Sequence, residues 1–150
     1  MTPPHDAEQI SWSLGETAAL ATKAARGAGM PWGLADETGA AVGWLQSRGI
    51  PGLSALCRYL KWRENGLMTR WPDRPAGTAC YCPIELGTAY LDGALSPTLT
   101  IESIREPLLI LPFIAKRNND QPVQVDLGDM SIHLSKDCLL YTSDAADEWR

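Results

Sequence analysis

The sequence has little of what marks several common classes of protein. Its longest apolar run, residues 108–115, contains Pro112 and falls far short of the ~20 residues of a membrane-spanning helix. Four cysteines in 150 residues are too few for a disulfide scaffold. Basic residues are in the minority, because 18 Asp and Glu outnumber 13 Lys and Arg to give a formal net charge of −5. These absences argue against a membrane protein, a disulfide-rich secreted domain and a general nucleic-acid binder.

The first residues also lack the basic and apolar segments of a secretory signal. We therefore expect a soluble protein in a reducing compartment, and we assign it to the cytoplasm with no membrane partner. Hydrophobic residues make up 45% of the chain, which is enough for the core of about one domain.

Histidine is scarce as well, with two in the chain, and no nucleophile is paired with either. We therefore assign no catalytic residue and no cofactor. Cys80 and Cys82 could face a soft metal, form a strained disulfide, or simply be small, partly buried side chains. A structural zinc ion needs four ligands, and the other candidates are distant in sequence: Cys57, His5 and His133. We expect no metal site.

Three helices are predicted within residues 13–63, after a disordered lead at 1–12. Ser13 lies three residues before Glu16, which is the spacing of a capping box. One face of the first helix is formed by apolar residues at helical spacing: Leu14, Ala18, Ala21 and Ala25. The second helix has its own apolar face: Trp32, Ala35, Val42 and Leu45. Turns at Gly27 to Gly29 and between Gly49 and Pro51 separate the helices.

The remainder is predicted as a loop at 64–79 and a strand-rich half at 80–137. Residues 84–91 fit either a strand or a short helix, and residues 108–111 are a candidate buried strand. Alternating apolar residues on either side of Gly128 indicate a β-hairpin at 123–134. Helices followed by strands indicate an α+β fold, with an N-terminal three-helix unit and a small, incomplete antiparallel sheet in one domain at 13–137.

The run KAARGAGMPWGLA at residues 23–35, with Trp44-Leu45 and Cys82-Pro83-Ile84 further on, resembles an uncharacterised proteobacterial family, domain of unknown function 3726. The resemblance covers most of residues 13–134. It implies a bacterial origin and assigns no activity.

A second resemblance concerns residues 18–67, which are similar to the helical start of malate/L-sulfolactate-type dehydrogenases. Those enzymes carry Ser-His-Gly after a Gly-Ile or Gly-Val pair. In this sequence Pro51-Gly52-Leu53 follows Gly49-Ile50, and the missing histidine argues against dehydrogenase activity.

The C-terminal residues 138–148 resemble the translation of a transposase-type sequencing adapter. We therefore expect residues 138–150 to be a non-native tail, and the chain to be a fragment of a longer protein. An amphipathic tail with solvated acidic residues is the alternative.

The glycine-rich junction of the first two predicted helices is a candidate site for a small anionic ligand. A basic side chain, flexible glycines and the free N–H groups at a helix start can together hold an anion. The candidate residues are Arg26, Gly27, Gly29, Trp32 and Gly33. A tight turn between helices with a solvated Arg26 is the alternative.

A basic and aromatic stretch follows at residues 56–74, and such a surface can stack on nucleic-acid bases. We favour a solvated helix face here and expect no nucleic-acid partner.

The preferred interpretation is an uncharacterised bacterial protein that acts as a small-molecule-binding or accessory module without a catalytic site. One alternative is a degenerate domain related to the malate/L-sulfolactate-type dehydrogenases. Another is a structural or partner-binding subunit that uses Trp62 and Trp71 as anchors. The oligomeric state is left open.

Overall fold

A computed structural model describes residues 10–70, 72–73, 75, 77, 79–96, 103–119, 121–127, 130–135 and 139–142. The α-helices are α1 (Leu14–Gly27), α2 (Trp32–Ser47), α3 (Gly52–Glu64), α4 (Pro83–Leu91) and α5 (Leu111–Arg117), with a 3-10 turn at Pro107–Ile110. The strands are β1 (Met68–Thr69), β2 (Cys80–Tyr81), β3 (Val123–Leu127), β4 (Met130–Leu134) and β5 (Leu139–Thr142). The fold is α+β, with three helices at the N-terminus and a small antiparallel sheet at the end. The predicted N-terminal lead, residues 1–12, lies almost entirely outside the described residues.

Helix α1 begins with the predicted capping box. The Ser13 hydroxyl accepts a hydrogen bond from the Glu16 N–H at 3.2 Å, and the Glu16 carboxylate accepts one from the Ser13 N–H at 2.9 Å. The bond from the Ser13 backbone lowers the pKa of Glu16, so the carboxylate stays ionised where it complements the helix dipole. Gly29 and Gly49 have positive φ values of 87° and 72°, and they end α1 and α2 where the sequence predicts turns.

Helices α1 and α2 pack as a close antiparallel pair. A Cβ atom at Gly39 would lie 2.0 Å from Thr22 Oγ1 and 2.7 Å from the Ala18 carbonyl oxygen. Only a glycine allows this approach, which places the small side chains of Ala21 and Ala25 in the core at 0% exposure. Two residues predicted for the apolar faces are instead exposed, Leu14 at 51% and Trp32 at 67%. Each lies in the first turn of its helix.

The predicted strand at residues 108–111 is wrong. The chain there forms the 3-10 turn and the start of α5, and all four residues are buried. Pro107 and Pro112 occupy the first or second position of the two helical elements, where a missing N–H costs nothing. A short apolar run has the same appearance in a buried strand and a buried helix. Residues 84–91, whose sequence fits either a strand or a short helix, belong to helix α4.

The strands form two separate sheets. Strands β1 and β2 make a short parallel pair. The predicted hairpin at 123–134 is confirmed as β3 and β4, paired antiparallel from Val123 with Leu134 to Leu127 with Met130. Strand β5 adds to β4, which gives the order β3-β4-β5. Ile132 and Leu134 of β4 are buried in the main core, so the hairpin packs against the helices.

Strand β5 lies within the segment that resembles an adapter translation, and residues 138 and 143–150 of the expected non-native tail are outside the described residues. Among the described residues, no helix is both long enough and apolar enough to cross a membrane.

Candidate functional site

The structure brings together the main side chains of the candidate ligand site at the α1–α2 turn. Arg26 Nη1 donates a hydrogen bond to the Met30 carbonyl oxygen, and its guanidinium carbon lies 4.1 Å from the centroid of the Trp32 ring. This stacking is a cation–π contact. Gly27, Gly29 and Gly33 are exposed around the same turn. The guanidinium is thus held by the backbone and the ring at this turn.

The start of α2 adds unpaired backbone donors beside this arginine. The cap residue Pro31 makes no side-chain hydrogen bond to the helix, whose first backbone bond runs from the Ala35 N–H to the Pro31 carbonyl. The N–H groups of Trp32, Gly33 and Leu34 therefore have no carbonyl partner within the helix. A helix N-terminus of this kind favours negative charge.

A basic cavity of about 740 Å³ adjoins the same turn. We use the name basic cavity for the space lined by Gly27, Ala28, Leu60, Lys61, Arg63, Glu64, Met68 and Arg70. Its walls come from the ends of α1 and α3 and from the segment around β1. Three of the lining side chains are cationic and one is acidic. Gly27 belongs both to this wall and to the candidate site predicted from the sequence.

A buried pair of hydroxyl and thiol lies between α3 and α4. Tyr59 Oη and Cys82 Sγ are 3.0 Å apart and share a hydrogen bond, and both residues are almost completely buried. The Met30 sulfur lies 4.0 Å from Tyr59 Oη and 3.8 Å from Thr38 Oγ1. Burial raises the pKa of both Tyr59 and Cys82, with the nearby Arg63 partly opposing the shift at Tyr59. Both groups are therefore neutral, and Cys82 is a packing residue and not a nucleophile.

Cys57 and Cys82 should differ strongly in reactivity toward iodoacetamide. Cys57 is exposed and Cys82 is buried with a raised pKa, so we expect Cys57 to react at least about tenfold faster in the native protein. Peptide mapping after short exposures measures both rates in one sample. Urea should abolish the difference, whereas similar rates in the native protein would contradict the burial of the Cys82 thiol.

Three of the other basic and aromatic residues of 56–74 contact distant parts of the fold. Arg58 forms an ion pair with Glu106 at 2.9 Å, and Arg70 forms one with Glu85 at 3.0 Å. Arg105 stacks on Trp62 with its guanidinium carbon 3.8 Å from the ring centroid. Trp62 is thus half-covered, and Trp71 and Arg74 lie outside the described residues. The sequence does not indicate these three contacts, because the two residues of each pair lie far apart in the chain.

Within the described part of the chain, no three His, Cys, Asp or Glu side chains come close enough together to hold a metal ion. Cys80 is half-buried on β2 while Cys82 is buried at the start of α4. His5 is outside the described residues, and His133 is exposed on β4.

Comparison with known proteins identifies the class of this domain. The sequence model of the family described as "Protein of unknown function (DUF3726)" matches residues 12–95. The chain belongs to this family. The matched residues contain α1 to α4, together with the α1–α2 turn and the whole basic cavity. No curated protein and no solved structure matches the chain.

Proposed function

We propose that this protein is a small-molecule-binding or accessory module, and that its ligand is a small anion bound in the basic cavity beside the α1–α2 turn. The observation that carries this proposal is the cavity of about 740 Å³ with Lys61, Arg63 and Arg70 set against the single carboxylate of Glu64. The volume is within the usual range of small-molecule sites.

The hydrogen-bond donors of the cavity support an anionic ligand. Helices α1 and α3 both end at its wall, and each helix C-terminus acts as about half a negative charge. The three cations exceed the combined negative charge of Glu64 and the two helix ends by about one unit, and the ion pair of Arg70 with Glu85 offsets that excess. The Arg70 side chain is nevertheless 78% exposed and keeps further donors available, and Lys61 and Arg63 add theirs to the lining.

The α1–α2 turn supplies the second half of the proposed site. Arg26 is stacked on Trp32, and the first three N–H groups of α2 have no partner among the described residues. An extended anion with one group in the basic cavity could place another at this turn. We therefore retain all five residues in the proposal: Arg26, Gly27, Gly29, Trp32 and Gly33.

Removing one cavity cation should weaken the binding of inorganic phosphate. We expect saturable phosphate binding by the native chain, measured by isothermal titration calorimetry at low ionic strength. Lys61→Gln should reduce the affinity by at least about tenfold, since a hydrogen bond to a charged group is worth ~1.5–3 kcal/mol. Arg26→Ala should reduce it less, because Arg26 belongs to the adjoining turn.

Lys23→Gln is the matched control for this experiment. Lys23 is exposed on α1 and does not line the cavity, so the same change in net charge should leave the affinity nearly unchanged. The proposal is wrong if the native chain shows no saturable phosphate binding. It is equally wrong if Lys61→Gln and Lys23→Gln weaken binding to the same extent.

We also propose a cytoplasmic location, which the free thiols of Cys57 and Cys82 support. The dehydrogenase-related and partner-binding alternatives stay hypotheses, as does the absence of a nucleic-acid partner.

A further inference from the structure

A second pocket lies between α2 and α5, on residues that the basic cavity does not use. Its volume is about 210 Å³. Helix α2 contributes Glu37, Ala40, Ala41 and Trp44, and the spacing of these residues places them along one stripe of the helix. Helix α5 contributes Pro112, Phe113 and Lys116. We call this space the α2–α5 pocket.

The walls of the α2–α5 pocket are largely apolar and held in place. Arg48 stacks on Trp44 with its guanidinium carbon 3.8 Å from the ring centroid, which restrains the indole. Phe113 packs directly on Gly87 of α4, where a Cβ atom would lie 2.4 Å from the Phe113 ring. An apolar cavity of ~150 Å³ is large enough to bind benzene. The α2–α5 pocket therefore has room for one six-membered ring or a branched aliphatic group.

Two opposite charges complete the lining, one from each helix. Glu37 belongs to α2 and Lys116 to α5, and neither forms an ion pair with any residue that the structure describes. A carboxylate left without a cation favours an ammonium group, and a lysine left without an anion favours a carboxylate. An apolar α-amino acid combines all three features, because its ammonium group and carboxylate are on one carbon atom and its side chain is the apolar body.

We infer that the α2–α5 pocket binds a small zwitterion with an apolar body, of the class of apolar α-amino acids. The side chain of the ligand occupies the space between Trp44 and Phe113. Its ammonium group faces Glu37 and its carboxylate faces Lys116. This site is separate from the proposed anion site, because the two share no residue.

The test compares three probes that share a phenylethyl skeleton and differ in which charged groups they carry. L-Phenylalanine carries both groups, 2-phenylethylamine lacks the carboxylate, and 3-phenylpropanoate lacks the ammonium group. Titrations followed by NMR should show saturable binding of L-phenylalanine and at least about tenfold weaker binding of the other two. Glu37→Gln should remove the preference for L-phenylalanine over 3-phenylpropanoate. No saturable binding of L-phenylalanine, or equal binding of all three probes, would overturn the inference.

Ala40→Leu blocks the pocket without entering the core, because Ala40 lines it from an exposed position on α2. This variant should lose L-phenylalanine binding while keeping its phosphate affinity. Ala19→Leu is the matched control, since Ala19 is exposed on α1 away from the pocket. Unchanged L-phenylalanine binding by Ala40→Leu would place the ligand elsewhere and refute the assignment. Phosphate binding is measured in the same samples, so failure of this site and failure of the anion site are distinguishable.

Discussion

Replacing Tyr59 with alanine is expected to lower the free energy of unfolding by about 3–5 kcal/mol, the range for truncating a buried aromatic side chain. Tyr59 is 0% exposed and is the largest fully buried side chain among the described residues. Its loss leaves a cavity between α3 and α4, and it removes the partner of the Cys82 thiol. Urea unfolding followed by circular dichroism measures the change.

Tyr59→Phe separates the contribution of the ring from that of the hydroxyl. This variant keeps the packing and loses the hydrogen bond to Cys82, so we expect a cost of about 1 kcal/mol. It also guards against failure of the alanine variant to fold, since a domain has only ~5–15 kcal/mol of stability in total. A loss of less than about 1 kcal/mol in Tyr59→Ala would contradict the central place of this side chain in the core.

Gly39→Ala is expected to destabilise the protein by about 2 kcal/mol, although alanine is the better helix former. The added Cβ would lie 2.0 Å from Thr22 Oγ1 and 2.7 Å from the Ala18 carbonyl oxygen. Helix propensity contributes a gain of only ~1 kcal/mol, whereas overpacking costs ~1–3 kcal/mol and sometimes more. The steric cost should dominate, because a helix backbone atom cannot move aside alone. Thermal and urea unfolding measure the result.

Gly15→Ala is the matched control on the partner helix. A Cβ at Gly15 meets nothing within 4 Å, so this variant should be unchanged or more stable by up to ~1 kcal/mol. Equal effects of the two substitutions would show that α1 and α2 do not pack in close contact at Gly39.

The sequence by itself determined the parts of this protein that rest on short-range interactions. The capping box of Ser13 and Glu16 spans four residues, and its geometry follows from that spacing. The stops at Gly29 and Gly49 follow from the ability of glycine to adopt positive φ. The alternation of apolar residues across β3 and β4 predicts the hairpin, because only a short turn separates the two strands. The proximity of Arg26 to Trp32 was likewise predictable, because one short turn separates them.

Only the tertiary structure decided the features that join distant segments. Residues 108–111 are buried in the helical part of the core, and an apolar run does not encode whether its buried conformation is a strand or a helix. The ion pair of Arg58 with Glu106 spans 48 residues, and neither residue carries a local sign of the other. The basic cavity and the α2–α5 pocket exist only where helix surfaces meet. Their shapes depend on the angles at which the helices cross and on how their side chains pack, and the periodicity of a sequence does not determine either.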